Sequence, residues 1–202
     1  MKYFLICLFL NTCLFSVKAQ QTGNAGKWRY QALVHAGLVT GSSTITITAQ
    51  TVQGIQKNNW LTGIGVGYDN YGIPGVPIVL HGQKAFTQKD NKPFVYVQSG
   101  VQIPVKTGSW NDKGWMGTSN YDLKTGFIGE VGGGYTIAAG KKHNHAFLFN
   151  AGYSYKFNKA TYTELAWPPY LSSLPPQGYN EYNIEKQEYH YRRIVLRVGW
   201  MF

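Results

Sequence analysis

The sequence predicts an all-β chain, an eight-stranded antiparallel up-and-down transmembrane β-barrel, on three observations. First, apolar and polar side chains alternate with a period of two along eight segments, as they do in strands whose two faces meet different surroundings. Second, the three even-numbered connections between those segments are all short, and both long connections are odd-numbered. Third, the composition lacks the strong helix formers: it has 24 glycines and 15% aromatics but only 14% charged residues, and Gln, Asn, Thr, Ser and Tyr carry the rest of the polar load. No apolar run reaches the roughly 20 residues that a spanning helix needs.

The first predicted strand, 28–40, sets Tyr30, Ala32, Val34, Ala36 and Leu38 against Arg29, Gln31, His35 and Gly37. The second, 44–53, opposes Ile45, Ile47 and Ala49 to Thr44, Thr46, Thr48 and Gln50, and a tight turn at 57–59 follows. In the third, 60–70, Trp60, Ile64, Val66 and Tyr68 face away from Gly63, Gly65, Gly67 and Asp69. Gly75 and two prolines mark the next connection. The fourth strand, 76–86, then carries Ile78 and Leu80 on one side and His81 and Gln83 on the other.

After a polar turn at 88–93, the fifth strand, 94–105, pairs Val95, Val97, Val101 and Ile103 against Tyr96, Gln98, Gly100 and Gln102. A longer polar loop, 106–121, leads to the sixth, 123–138, where Phe127, Val131, Tyr135 and Ile137 oppose Ile128, Glu130, Gly132 and Gly134. The seventh, 145–157, follows a short turn at 140–144 and sets six apolar residues from Phe147 to Phe157 against Asn150, Gly152, Ser154 and Lys156. The longest connection, 158–188, leads into the last strand, 189–202. There Ile194, Leu196, Val198, Trp200 and Phe202 share one face, and Tyr191, Arg193, Val195, Arg197, Gly199 and Met201 the other.

Residues 1–19 read as a secretory signal peptide. Lys2 supplies the positive start, 3–10 the apolar run, and Val17-Lys18-Ala19 the site of a cut ahead of Gln20. Residues 20–202 then form one barrel domain. Cys7 and Cys13 both fall in the signal, so the mature chain has no disulfide, thiol nucleophile or thiolate metal site. Loss of Lys2 and Lys18 leaves 17 basic residues against 9 acidic ones.

Strands of about 10–14 residues suit a tilted crossing of an outer membrane. With both termini on the periplasmic side, the three short turns are periplasmic and both long connections extracellular. The alternating strand that ends on Phe202 resembles the C-terminal assembly signal of outer-membrane barrels. Further likeness lies in Ala19-Gln20, Gly63-Ile64-Gly65-Val66-Gly67-Tyr68, Pro93-Phe94-Val95-Tyr96-Val97 and Gly152-Tyr153-Ser154-Tyr155-Lys156. On these residues the chain resembles small eight-stranded outer-membrane barrels of the OmpA/OmpX type, and is similar to the barrel-domain proteins common in the Bacteroidota. The resemblance implies an integral outer-membrane protein that passes through the barrel assembly machinery and turns Ile194, Leu196, Val198, Trp200 and Phe202 towards outer-membrane lipid.

The lumen of such a barrel is just wide enough for side chains to fill. Arg29, His35, Asp69, His81, Glu130, Lys156, Arg193 and Arg197 are expected inside, as an ion-pair plug that sets Glu130 against Arg193 or Arg197, or else as a proton or small-ion path. The glycines of the third and sixth strands either make room for these side chains or ease strand curvature.

The function expected is structural or recognitional, not enzymatic; the alternatives are an accessory subunit of a larger outer-membrane complex, a lipid A-modifying barrel enzyme or a narrow channel. Barrel enzymes that act on lipid A need a Ser–His–acid set at the outer rim. His190 with Glu188 and Ser172 or Ser173 stands at that end without a matching spacing, and His143 and His145 fall at the opposite one. These histidines give no bet on a metal, and no cofactor is expected. Two surface features are better leads. Tyr162, Trp167, Tyr170, Tyr179 and Tyr182, interleaved with Pro168-Pro169 and Pro175-Pro176, compose an extracellular binding loop or part of the interfacial girdle. At the periplasmic rim Lys27, Arg29, Lys57, Lys84, Lys89, Lys92, Lys141 and Lys142 outweigh Asp90, which suits anionic lipid headgroups or another outer-membrane or periplasmic protein. Export excludes nucleic acid as a partner despite the basic balance.

Overall fold

A computed structural model describes residues 28–42, 44–87, 91–105, 113–114, 117–118, 120–139, 145–165 and 182–202. The signal-peptide expectation for 1–19 lies outside them. The elements are β1 (Arg29–Thr40), β2 (Ile45–Lys57), β3 (Trp60–Asp69), β4 (Gly75–Ala85), β5 (Lys92–Pro104), the two-residue strands β6 (Lys113–Gly114) and β7 (Gly117–Thr118), β8 (Asn120–Ala139), β9 (His145–Leu165) and β10 (Tyr182–Met201). Eight of these form one closed antiparallel barrel in the order β1-β10-β9-β8-β5-β4-β3-β2; β6 and β7 pair only with each other. Apart from the β6–β7 pair, consecutive strands are neighbours, so the barrel is up-and-down.

Closure is made by β1 and β10, which run in register from Leu33↔Met201 to Thr40↔Ile194. The amide of Phe202 donates to the Ala32 carbonyl at 2.9 Å, which carries that seam to the last residue. With no open edge in the closed part, every strand there pairs on both sides. Side chains alternate across this wall as the sequence predicts. Ile194, Leu196 and Val198 are exposed, whereas Arg193, Val195 and Arg197 are buried. The same inversion holds for Val95 and Val97 against Tyr96 and Gln98, and for Ile78 and Leu80 against Val79 and His81.

Several boundaries differ from the sequence reading, for one reason. The predicted seventh strand stops at Phe157, but β9 continues to Leu165; the predicted last strand starts at Tyr189, but β10 starts at Tyr182. Past Phe157 the outward positions turn from apolar to Lys159 and Thr161, so the hydropathic alternation ends while the backbone ladder carries on. From Tyr182 to Arg193, β10 extends beyond the end of its ladder with β1 and stays paired with β9. On its other side β9 pairs with β8 as far as Asn120↔Thr163. The three strands thus project past the rim as a sheet extension.

One bulge adjusts this extension. Between Lys124 and Phe127, β8 holds one more residue than β9 opposite it. Such an insertion reverses which face the following side chains take. Phe127 faces out and Ile128 in on the barrel side; beyond the bulge Leu123 faces in, where it packs on Ala160 and Ile73.

The interior is layered along the barrel axis. At the end that holds Trp28 and Phe202, Leu33, Val52, Leu61, Ala85, Phe94, Tyr96 and Leu148 cluster with Met201 against them. At the far end lie Val39, Tyr71 and Val195 with Tyr191, then Ile73, Leu123 and Ala160 with Tyr162 and Tyr189. The charged side chains occupy the layers between.

Candidate functional site

Two ion-pair centres fill the middle of the barrel. In the first, Arg197 from β10 forks onto Glu130 from β8: one guanidinium nitrogen reaches Oε1 and the other Oε2 at 2.8 Å. Tyr96 from β5 donates its hydroxyl to the same Oε1 at 2.8 Å. A bidentate guanidinium–carboxylate pair fixes orientation as well as charge. Room for Tyr96 comes from glycine, since a Cβ on Gly132 would lie 2.7 Å from its hydroxyl oxygen.

The second centre sits nearer the far end. Arg193 from β10 pairs with Asp69 from β3 and donates to Ser154 Oγ at 2.8 Å. Lys156 from β9 comes within 3.6 Å of the same carboxylate. Its ammonium donates chiefly elsewhere, to the backbone carbonyls of Tyr71 at 2.8 Å and Ile73 at 2.6 Å.

Those two carbonyls belong to the connection between β3 and β4, which folds into the barrel mouth. Tyr71 is 2% exposed and Ile73 7%, although both are connection residues. Asp69 Oδ1 accepts the Tyr71 amide at 2.9 Å. The Tyr71 ring lies edge-on to Tyr191 at 5.8 Å and 5.6 Å from the Arg193 guanidinium. Gly72 makes the reversal with a φ of 64°, and a Cβ there would meet the Tyr191 ring at 2.6 Å. The plug is therefore a strap of backbone held by a buried lysine.

Around the ion pairs runs a neutral belt. Gln50 bonds His35 Nε2 at 3.0 Å; the Gln98 amide donates to His81 Nδ1 at 2.9 Å, and His81 Nε2 faces Gln83 Oε1 at 3.4 Å. Between the two centres remains a space of about 10 Å³, bordered by Thr48, Gln50, Asp69, Gln98, Glu130, Arg193 and Arg197. That is about enough for one water molecule.

The structure places His35, Asp69, His81, Glu130, Lys156, Arg193 and Arg197 in this buried interior. Arg29 is not among them. It shares the inward register of Gln31, but it is the first residue of β1, opposite Gln56, where the barrel opens; its side chain is exposed and burial begins at Gln31. Of the aromatic loop candidates, Trp167, Tyr170 and Tyr179 lie outside the described residues. Tyr162 and Tyr182 are not loop residues, because the ladder Tyr182↔Leu165 makes both of them strand. Tyr162 is partly buried, with its hydroxyl 2.7 Å from that of Tyr189.

Sequence reasoning missed the strap and the apolar ends of the lumen. Leu33, Val39, Val52, Leu61 and Leu148 lie in the same inward register as the polar residues, so parity alone marks them. For Tyr71 and Ile73 no periodic signal exists, because they lie between strands.

At the other proposed sites the arrangement is sparse. His190 Nδ1 is 2.7 Å from the Tyr155 hydroxyl and its Nε2 is 3.9 Å from Glu188. Ser172, Ser173 and His143 lie outside the described residues. Among the described residues no group of three His, Cys, Asp or Glu side chains could hold a metal. Of the basic rim, Lys57 lies 4.9 Å over the Trp28 ring and Lys84 5.0 Å over Trp60, while Lys27, Lys89, Asp90, Lys141 and Lys142 are outside the described residues.

The class these features define is a closed eight-stranded antiparallel β-barrel with a side-chain-filled interior. No family model matches the chain, and no curated protein matches it.

Proposed function

We propose that this is an integral outer-membrane β-barrel of the OmpA/OmpX type, with a filled lumen and a structural or surface-recognition role at its far end. The observation that carries this reading is the inversion of its two faces. Large apolar side chains point out all round the wall, with Ile47 67%, Leu80 69% and Val198 57% exposed, while Asp69, Glu130, Lys156, Arg193 and Arg197 point in. A water-soluble barrel of the lipocalin kind does the opposite and hides its apolar face inside. Soluble monomers rarely expose apolar patches beyond a few hundred square ångströms, and a belt around the whole circumference calls for hydrocarbon. Aromatics at the terminal end, Trp28, Trp60, Phe147 and Phe202, suit an interfacial girdle.

In this reading the chain is exported, inserted by the assembly machinery, and surrounded by outer-membrane lipid. It is not an enzyme and holds no cofactor. Recognition falls to the extension of β8, β9 and β10 and to the connections at that end. The extension also favours a second reading, an accessory subunit of a larger outer-membrane complex, since it offers a sheet beyond the rim for a partner. A narrow channel fits less well: with about 10 Å³ between the ion pairs, planar bilayers holding the protein should stay silent. Steady unitary currents would overturn the sealed lumen.

Insertion itself is checked on the full chain mixed with phospholipid vesicles. It should resist carbonate extraction and run differently on gels boiled and unboiled; release by carbonate with one mobility would overturn the reading. Leu196→Arg, in the middle of the apolar belt, should cost about 2–4 kcal/mol of stability in vesicles, as charge on a lipid face does. If the face met water instead, that substitution would cost almost nothing.

A further inference from the structure

Three arginines stand close together on β10, and one has no partner inside. Arg193 and Arg197 point into the barrel and meet carboxylates. Arg192 points out, is exposed, and its side chain makes no hydrogen bond or ion pair among the described residues. The next outward position towards the termini is Ile194, 56% exposed, and after it come Leu196 and Val198. A guanidinium at the border of an apolar belt keeps its charge cheaply only with water or an anion beside it.

What surrounds Arg192 favours the anion. It is the ladder partner of Tyr155, whose hydroxyl is engaged by His190 at 2.7 Å. Farther along the same outward face, Lys124 and Lys159 are ladder partners, and Lys159 in turn opposes Glu188 on β10. Lys159 is 2.7 Å from Glu188, so this lysine and this acid offset each other. Lys186 also faces outward there, and Asp122 is the second acid. Lys124, Lys159, Lys186 and Arg192 thus outweigh Asp122 and Glu188 on the outward face of the extension.

Towards the termini, the same face opens into an apolar groove of about 640 Å³. Ala36 and Ala151 keep it shallow-walled on the strand surface, with Leu38, Phe149, Leu196 and Val198 as its ridges. Leu196 is four residues from Arg192, roughly 13 Å at 3.3 Å per residue. Cationic head and apolar trough lie on one strand, at a spacing a membrane lipid covers.

We propose that the outward face of β8, β9 and β10 is a binding site for an anionic phosphorylated lipid, with its phosphate on Arg192, on a face that carries more cations than acids, and an acyl chain in the groove below. Guanidinium suits the task because it matches phosphate oxygens in a fork. A soluble acidic peptide would satisfy the cations but has no reason to enter a groove turned to hydrocarbon. The site deepens the membrane reading above and rests on it.

The test uses the full chain in phosphatidylcholine nanodiscs doped with bisphosphorylated lipid A or, separately, with phosphatidylglycerol. After mild extraction, native mass spectrometry counts the lipid that stays bound. Wild type should retain an anionic lipid in preference to phosphatidylcholine, and Arg192→Gln about fivefold less of it. Arg192→Lys should retain part, and Ala151→Trp, which fills the groove, should lose the lipid with the cation left in place. Entry into nanodiscs with equal retention by wild type and Arg192→Gln would overturn the site alone. A chain that does not enter the bilayer at all would overturn both the site and the membrane reading.

Discussion

Glu130→Ala should cost the barrel about 3–5 kcal/mol, the penalty for leaving a buried charge without its partner. Arg197 is 7% exposed and spends both terminal guanidinium nitrogens on this one carboxylate. Asp69 cannot replace it, since Arg193 and Lys156 already share that group. Tyr96 would lose the acceptor of its hydroxyl as well. Urea unfolding of the full chain in vesicles measures the loss. Removing both charges, with Glu130→Met and Arg197→Met together, should recover most of it, because no uncompensated ion then remains. A double variant as unstable as the single one would mean that the carboxylate matters for shape and not for charge.

Lys156→Met should have a local effect of a different kind. Asp69 keeps Arg193, so no carboxylate is stranded, and the barrel as a whole should stay folded. The carbonyls of Tyr71 and Ile73 would each lose a donor, at about 1–3 kcal/mol apiece where burial persists. The cheaper response is for the strap to leave the barrel mouth. Hydrogen exchange at the Tyr71 amide, which Asp69 holds in the native state, should then quicken about tenfold or more, while amides of β9 and β10 keep their protection. Unchanged exchange at Tyr71 would mean that ring packing against Tyr191 holds the strap without the lysine. Comparing the two variants separates the centre that supports the wall from the centre that supports the plug.

How much of this was legible in advance differs from residue to residue. Arg193 and Arg197 could be placed inside because they alternate with Ile194, Leu196 and Val198, and a period of two admits only two registers. The pairing of Glu130 with Arg197 in place of Arg193 could not be chosen, because both arginines share one face and differ only in height. Arg29 shows the limit of parity: it has the inward register, yet lies where the strand has reached the opening. The extent of β9 and β10 was hidden because Lys159, Thr161 and Glu188 end the apolar alternation before the backbone pairing ends.

The sequence by itself determined the class: the number of barrel strands, their up-and-down order and the faces of the regular stretches follow from local alternation and the turns between. Only the tertiary structure decided which charges meet, where β8 bulges, and that Tyr71 and Ile73 seal the mouth under Lys156. Alternation is a property of neighbours along one strand and can be read from them. Ion pairs that join β3, β8, β9 and β10 across the lumen depend on strand stagger and barrel closure, which no single segment encodes.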